Sequence, residues 1–289
     1  MRTIGCLWLV LLIPWNTYAQ QPQLRPQFMR AGIVEHHGSN ATVRANDPRP
    51  LLQAIKAIRE EYGWIIDYED PPFFSAHDLS DDTDPRWKAA HPGSDPVWRI
   101  AGSAFQSDYP EIATAVPSSP RIADILQKVV SDYNSSGNPG KFSVRKESSS
   151  RYSILGTFRK DRDGRDQAVR SILDTAISMP PEPRTPVETL YTILSILSSA
   201  TGTRVLPLMV PTNTLQGPLL TIGGTGVTAR TLLLQTLGQA NPRRTLMWDL
   251  LFDPDPNTNA YLMNIEVVTK TTQDGSGHVV LRPLGHVKD

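Results

Sequence analysis

The chain has 289 residues, with 29 basic against 29 acidic side chains and no net formal charge. Such a balance gives no electrostatic basis for gripping nucleic acid or an anionic membrane. A hydrophobic content of 39% with 20% charged residues is ordinary globular composition, enough for one large or two modest domains.

The first segment sets the expected compartment. Met1-Arg2 is a short positive start, Ile4 to Trp15 is mostly apolar, and small residues stand at Thr17 and Ala19. An apolar run of about a dozen residues is too short to span a bilayer and fits a secretory signal peptide. Residues 1–19 are therefore expected to be that signal, cleaved after Ala19, with no stable membrane span left behind. The one cysteine, Cys6, lies inside it, so the exported chain is expected to lack disulfides, Cys-based zinc sites and thiol catalysis. Residues 20–40 are polar, include Glu35-His36-His37, and are expected to be flexible.

From Asn40 the pattern becomes regular. NATVRAN reads as a strand, and Leu51, Ile55, Ile58 and Tyr62 then form one apolar helical stripe. Gly63 supplies a helix stop, and Trp64, Ile66 and Tyr68 alternate with polar residues as a strand. An irregular acidic and aromatic insertion, 70–96, comes next, and VWRIAGSAF (Val97 to Phe105) reads as a further strand. A second helix is expected from Pro120, capped by Ser119, with Ile122, Ile125, Leu126, Val129 and Tyr133 on one face. Strands at KFSVRK and RYSILGTF close this first module, 41–159.

Residues 160–173 read as a linker or hairpin, with a turn signal at Asp163-Gly164. The second module, 174–269, opens with a strand at DTAISMP. Thr185, Pro186 and Glu188 then occupy the cap, first and third positions of a helix, a capping box with proline where it is tolerated. Val187, Leu190, Leu194 and Leu197 form its stripe, Gly202 ends it, and TRVLPLM is the following strand. GPLLTIGG reads as a short strand and turn, with GGTG as the tight link to a helix capped by Thr228. TLMWDLLFD and AYLMNIEVV form a hairpin through the turn-rich DPDPNTN. Residues 270–289 are expected to be a flexible tail, with GHVVLRP as a segment able to add a strand to a sheet.

The order strand, helix, strand, strand, helix, strand, strand is thus written twice. The expected fold class is α+β, a tandem duplication of one small module. ISMPPEPRTPVETLYTILSILSSATGTRVL, LLTIGGTGVTARTLLLQTLGQ and the TLMWDLLF/AYLMNIEVV pair together resemble the secretin and TonB N-terminal short domain. ATVRANDPRPLLQAIKAIREEYGWIIDY resembles it less closely, with YG in place of TG and the insertion before its third strand. The resemblance implies a non-catalytic protein of the periplasm or cell envelope that works through protein–protein contacts. It implies no cofactor and no catalytic residue, and it leaves the identity of the envelope partner open.

Other constellations carry weaker chemistry. His77, Asp78, Asp81, Asp82, Asp84 and His91 crowd the insertion; oxygen ligands so close would suit a hard cation, but they lack a strict ligand spacing and read more simply as a solvated loop. Phe73, Phe74, Trp87 and Trp98 flank these acids and are the candidate partner-contact residues. Packing onto the chain's own core is the plainer use of such rings. No GxSxG, HExxH, GxGxxG or P-loop lysine occurs. The alternatives to an interaction protein are a small-ligand or metal-binding protein centred on the insertion, or a hydrolase with an unrecognised site.

Overall fold

The computed structural model describes residues 32–46, 48–111, 119–255, 258–273 and 279–285. The expected signal peptide and residues 20–31 lie outside them. In the first half the elements are β1 (Ile33–His37), β2 (Asn40–Ala45), α1 (Pro50–Tyr62), β3 (Ile65–Glu69), β4 (Leu79–Asp81), α2 (Pro85–Ala90), β5 (Trp98–Ile100) and β6 (Phe105–Pro110). Helix α3 (Ser119–Ser135), β7 (Lys141–Lys146), β8 (Arg151–Lys160) and β9 (Asp166–Ala168) follow. The second half holds β10 (Ala176–Arg184), α4 (Pro186–Thr201), β11 (Arg204–Pro207), β12 (Leu220–Thr228), α5 (Ala229–Ala240), β13 (Leu246–Asp253) and β14 (Ala260–Val267). A hairpin of β15 (Thr269–Gln273) and β16 (Val279–Pro283) completes it. The fold is α+β. None of the described helices is long and apolar enough to cross a membrane.

The same pairing pattern occurs twice. β2 pairs antiparallel with β6, as β10 does with β12. β3 runs parallel to β8, as β11 does to β14. β7 and β8 are antiparallel neighbours, as are β13 and β14. Each half buries its own apolar cluster: Leu51, Ile55, Ile58, Leu126 and Val129 in the first, Leu190, Leu194, Leu197, Leu232 and Leu237 in the second. The stripes on α1, α3 and α4 supply much of both cores, because i, i+3 and i+4 positions share a helix face.

The halves are joined rather than strung. β13 pairs parallel with β3 at Asp249↔Tyr68 and Leu250↔Glu69, giving one sheet in the order β11-β14-β13-β3-β8-β7 with β9 at the end of β8. Residues 31–289 accordingly form one compact unit. Two backbone registers among the described residues span the seam, and buried arginines and carboxylates of the first half reach across it to β13. Arg151 forks onto Asp67 through Nε and Nη2, both at 2.7 Å, and Asp67 also accepts the Trp248 amide at 3.0 Å. Arg49 bonds Asp70 at 2.8 Å and the Phe252 carbonyl at 2.7 Å. Arg59 of α1 reaches Asp249 of β13 at 2.7 Å. Burial would raise the Asp249 carboxyl, but Arg59 and Lys56 outweigh it and hold the group below the usual carboxylate range.

Several expectations need correction. The segment 20–40 is not flexible where it is described: β1 folds back on β2 through Gly38, at φ 65°, with Val34 against the first core. His36, expected to be unstructured, bonds Glu111 at 2.5 Å and Glu61 at 3.2 Å. The third strand of the first half is not Val97–Phe105 but β6, whose Phe105, Ser107 and Tyr109 face inward while Gln106 and Asp108 face out. Trp98–Ile100 pairs instead with β4, so the insertion 70–96 has structure of its own, including α2. GGTG is not the turn before α5; it lies inside β12, where a Cβ at Gly223 would sit 2.4 Å from the Met179 carbonyl oxygen. The tail 270–289 carries the β15–β16 hairpin, and Leu284 packs beside Ile65, Met247 and Val268.

Candidate functional site

The insertion, the β8–β9 hairpin and the end of β13 enclose a half-open groove of about 660 Å³. Its aromatic wall begins at Phe74, half exposed, whose ring meets Phe252 edge-on at 5.0 Å and 89°. Phe252 in turn meets Tyr261 at 5.2 Å, so the exposed ring is backed by a row of rings running into the core. Trp98 of β5 and Leu79 of β4 line the same hollow.

The opposite wall is polar. Asp163-Gly164 makes the expected hairpin turn, with Gly164 at φ 78°, and β9 returns beside β8 at Phe158↔Ala168. That return carries Arg159, Lys160, Asp161 and Arg162 into the groove wall. The Arg159 guanidinium lies 4.8 Å over the Phe74 ring, a cation–π contact, and its Nε donates to Gln167 at 3.0 Å. Lys160 is spent on Asp166 at 2.7 Å. Among the described residues no carboxylate forms an ion pair with Arg159 or Arg162. Asp161 accepts the backbone N–H groups of Arg165 and Asp163, both at 2.9 Å, and these hold its carboxyl below the usual range. It remains ionised and is no proton donor near neutrality. Asp255 and Asn259 close the rim.

The four candidate contact residues separate. Phe74 and Trp98 come together in the groove. Trp87 is exposed on α2 and stacks on His91 with centroids 3.7 Å apart, outside the groove lining. Phe73 is buried, 2% exposed, and packs in the second core, where it closes the groove floor.

The acidic residues of the insertion do not converge either. Asp84 caps α2 by accepting the Arg86 amide at 2.7 Å, Asp81 pairs with Lys88 at 2.7 Å, and Asp82 with Arg99 at 3.1 Å. Asp78 accepts the Lys160 amide at 3.3 Å, and burial raises its carboxyl above the ordinary value. Among the described residues no group of three or more His, Cys, Asp or Glu side chains is placed to hold a metal ion. DPDPNTN is described only in part, since residues 256 and 257 lie outside the described set.

Sequence reasoning missed the groove's basic wall and the ionic seam. DRDGRD signalled a turn, but nothing local showed that the hairpin folds toward Phe74. Comparison of the chain with family models, curated proteins and solved structures gave no match.

Proposed function

We propose that this chain is a non-catalytic exported protein of the cell envelope or periplasm that works by holding another protein. The observation that carries the reading is the groove: Phe74 stands half exposed beneath Arg159, next to Arg162, and neither cation has an acidic partner among the described residues. Aromatic rings beside arginines without a carboxylate partner are residue types enriched at protein-binding interfaces. The chemistry that fits is an extended segment with an apolar or aromatic side chain and a nearby carboxylate. The repeated strand-and-helix order supports the likeness to the secretin and TonB N-terminal modules, as a duplication, and with it a role in the envelope.

The test is affinity capture by the full chain from cross-linked envelope extracts of its own cells, beside Phe74→Ala and Arg159→Glu. One envelope protein held by the wild type and lost by both variants is expected. Equal capture by all three would sink the reading. A second reading, a small anionic ligand in the same groove, is favoured by its volume, which lies in the range of small-molecule sites. It predicts a ligand-induced rise in melting temperature that Arg159→Glu abolishes.

A further inference from the structure

A strand at a sheet edge offers unpaired N–H and C=O groups to any incoming strand, and proteins guard such edges with charge or proline. Among the described strands with an open side, all but one carry such a guard. β7 presents Lys141, Arg145 and Lys146, β11 carries Arg204 and Pro207, and β10 holds three prolines. Even β6, the counterpart of β12 in the first half, contains Asp108 and Pro110. β12 alone, LTIGGTGVT, has neither a charged residue nor a proline along nine positions. Its one sheet partner is β10, so its other side is an edge.

The surroundings of β12 show the same depletion. From Thr185 to Pro242 only Glu188, Arg204 and Arg230 are charged, against 20% of the whole chain. Glu188 is engaged in the α4 capping box and Arg230 is buried. Helix α5 packs over β12, and its exposed Thr231, Gln235 and Gln239 are uncharged. Leu219, just before the strand, is 65% exposed. Loss of charge with exposed aliphatic surface marks interface cores, whereas free surfaces keep both signs interspersed.

We infer that β12 pairs antiparallel with β12 of a second copy of this chain, making the β10–β12 ribbon a four-stranded layer across a two-fold axis. A two-fold axis brings each side chain near its own duplicate, so any charge close to the axis opposes itself. A strand without charge and a helix whose single charge, Arg230, is buried meet that condition, while a differing partner would impose no such requirement. Register shifts between Ile177 and Met179 and between Met179 and Glu182, with the left-handed Gly226 at φ 68°, limit regular pairing to Leu220, Thr221 and Ile222 at the start of β12. The exposed Thr221 then stands at the centre of that stretch, beside its own duplicate across the axis.

This surface is separate from the aromatic groove, and its test reads mass rather than capture. Sedimentation velocity of the full chain is expected to give a concentration-dependent dimer. Leu219→Lys with Thr221→Lys is expected to give a monomer with an unchanged melting temperature, since both positions are exposed. In a Cys6→Ser background, Thr221→Cys should oxidise to a covalent dimer, whereas Arg86→Cys on α2 should not. A monomer at every concentration overturns the inference, as does a dimer indifferent to the two lysines. Binding to neutral phosphatidylcholine vesicles without dimerisation, abolished by the same lysines, also overturns it and assigns the face to lipid.

Discussion

Arg230 of α5 crosses from the second half to Glu69 of β3 in the first, with Nη1 and Nη2 at 2.5 and 2.8 Å from the two carboxylate oxygens. The same guanidinium donates to Asp174 at 2.8 Å and to Ser171 at 2.9 Å, and Trp248 Nε1 donates to Glu69 at 3.3 Å. One side chain therefore satisfies acceptors from three places in the chain. Removing it strands a buried carboxylate.

Arg230→Ala is expected to destabilise the fold by about 3–5 kcal/mol, the usual cost of breaking one partner out of a buried ion pair. Arg230→Met combined with Glu69→Leu should recover a large part of that loss, because no unpaired charge remains. Urea denaturation of the two single variants and the double variant measures the coupling. Additive losses would show that the pair is not coupled.

Phe73 and Phe74 are neighbours in sequence with opposite environments. Phe73→Ala should cost about 3–5 kcal/mol as a core truncation. Phe74→Ala should cost about 1 kcal/mol, for its contacts to Phe252 and Arg159. Thermal melts of the two variants side by side provide the check. Equal losses would place Phe74 in the core as well.

His36 carries the pH prediction. Its hydrogen bond to Glu111 raises its pKa above 6.5, against a smaller opposing effect of burial, with Glu61 adding to the rise. The folded state therefore binds this proton more tightly than the unfolded one. The stabilisation is fully present below the unfolded pKa and is lost as pH rises through the folded one. With the ring 46% exposed, the effect is at most about 1 kcal/mol. An NMR titration should place the His36 midpoint above that of a free histidine, and Glu111→Gln should lower it. An unchanged midpoint in Glu111→Gln would remove Glu111 as the cause.

Gly223 and Gly226 test the path of β12. A Cβ at Gly223 would press on the Met179 carbonyl and lie 2.6 Å from the Pro181 nitrogen, so Gly223→Ala forces the ribbon apart. A cost of about 1–3 kcal/mol is expected from overpacking. Gly226→Ala meets open space and bears only its left-handed backbone, about 1–2 kcal/mol. Hydrogen exchange at β10 amides should rise more in Gly223→Ala. The reverse order would mean that β10 and β12 do not press together at Gly223.

The repeated element order was legible because its signals are local. Thr185-Pro186-x-Glu188 announces a helix start by side chains three residues apart, and Gly63 and Gly202 end α1 and α4 in the left-handed conformation. β6 was misplaced because Trp98 and Ile100 make an apolar run as convincing as Phe105-x-Ser107-x-Tyr109. Its choice of partner, β2, lies more than fifty residues upstream. Phe73 could not be told from Phe74, since an irregular segment has no period to assign a face. The seam was hidden more deeply: Asp67 and Glu69 looked like the polar face of a half-exposed strand. Only the arrival of β13, together with Arg151 of β8 and Arg230 of α5, makes them interior. The basic wall of the groove depends in the same way on where one hairpin leans.

The join between the halves also fixes how far the pattern can run. β3 corresponds to β11 by position in its half, and β13 corresponds to β7, so the seam unites two unlike edges. Each half therefore presents a head and a tail, and one junction leaves an unused head at β11 and an unused tail at β7. Geometry alone would permit a third unit, then a fourth, as in a filament built by repeated translation. The chain carries its own terminators: Pro207 withholds a backbone donor at one end, and Lys141, Arg145 and Lys146 line the other. The large sheet is thus a ruler of fixed length, two units long.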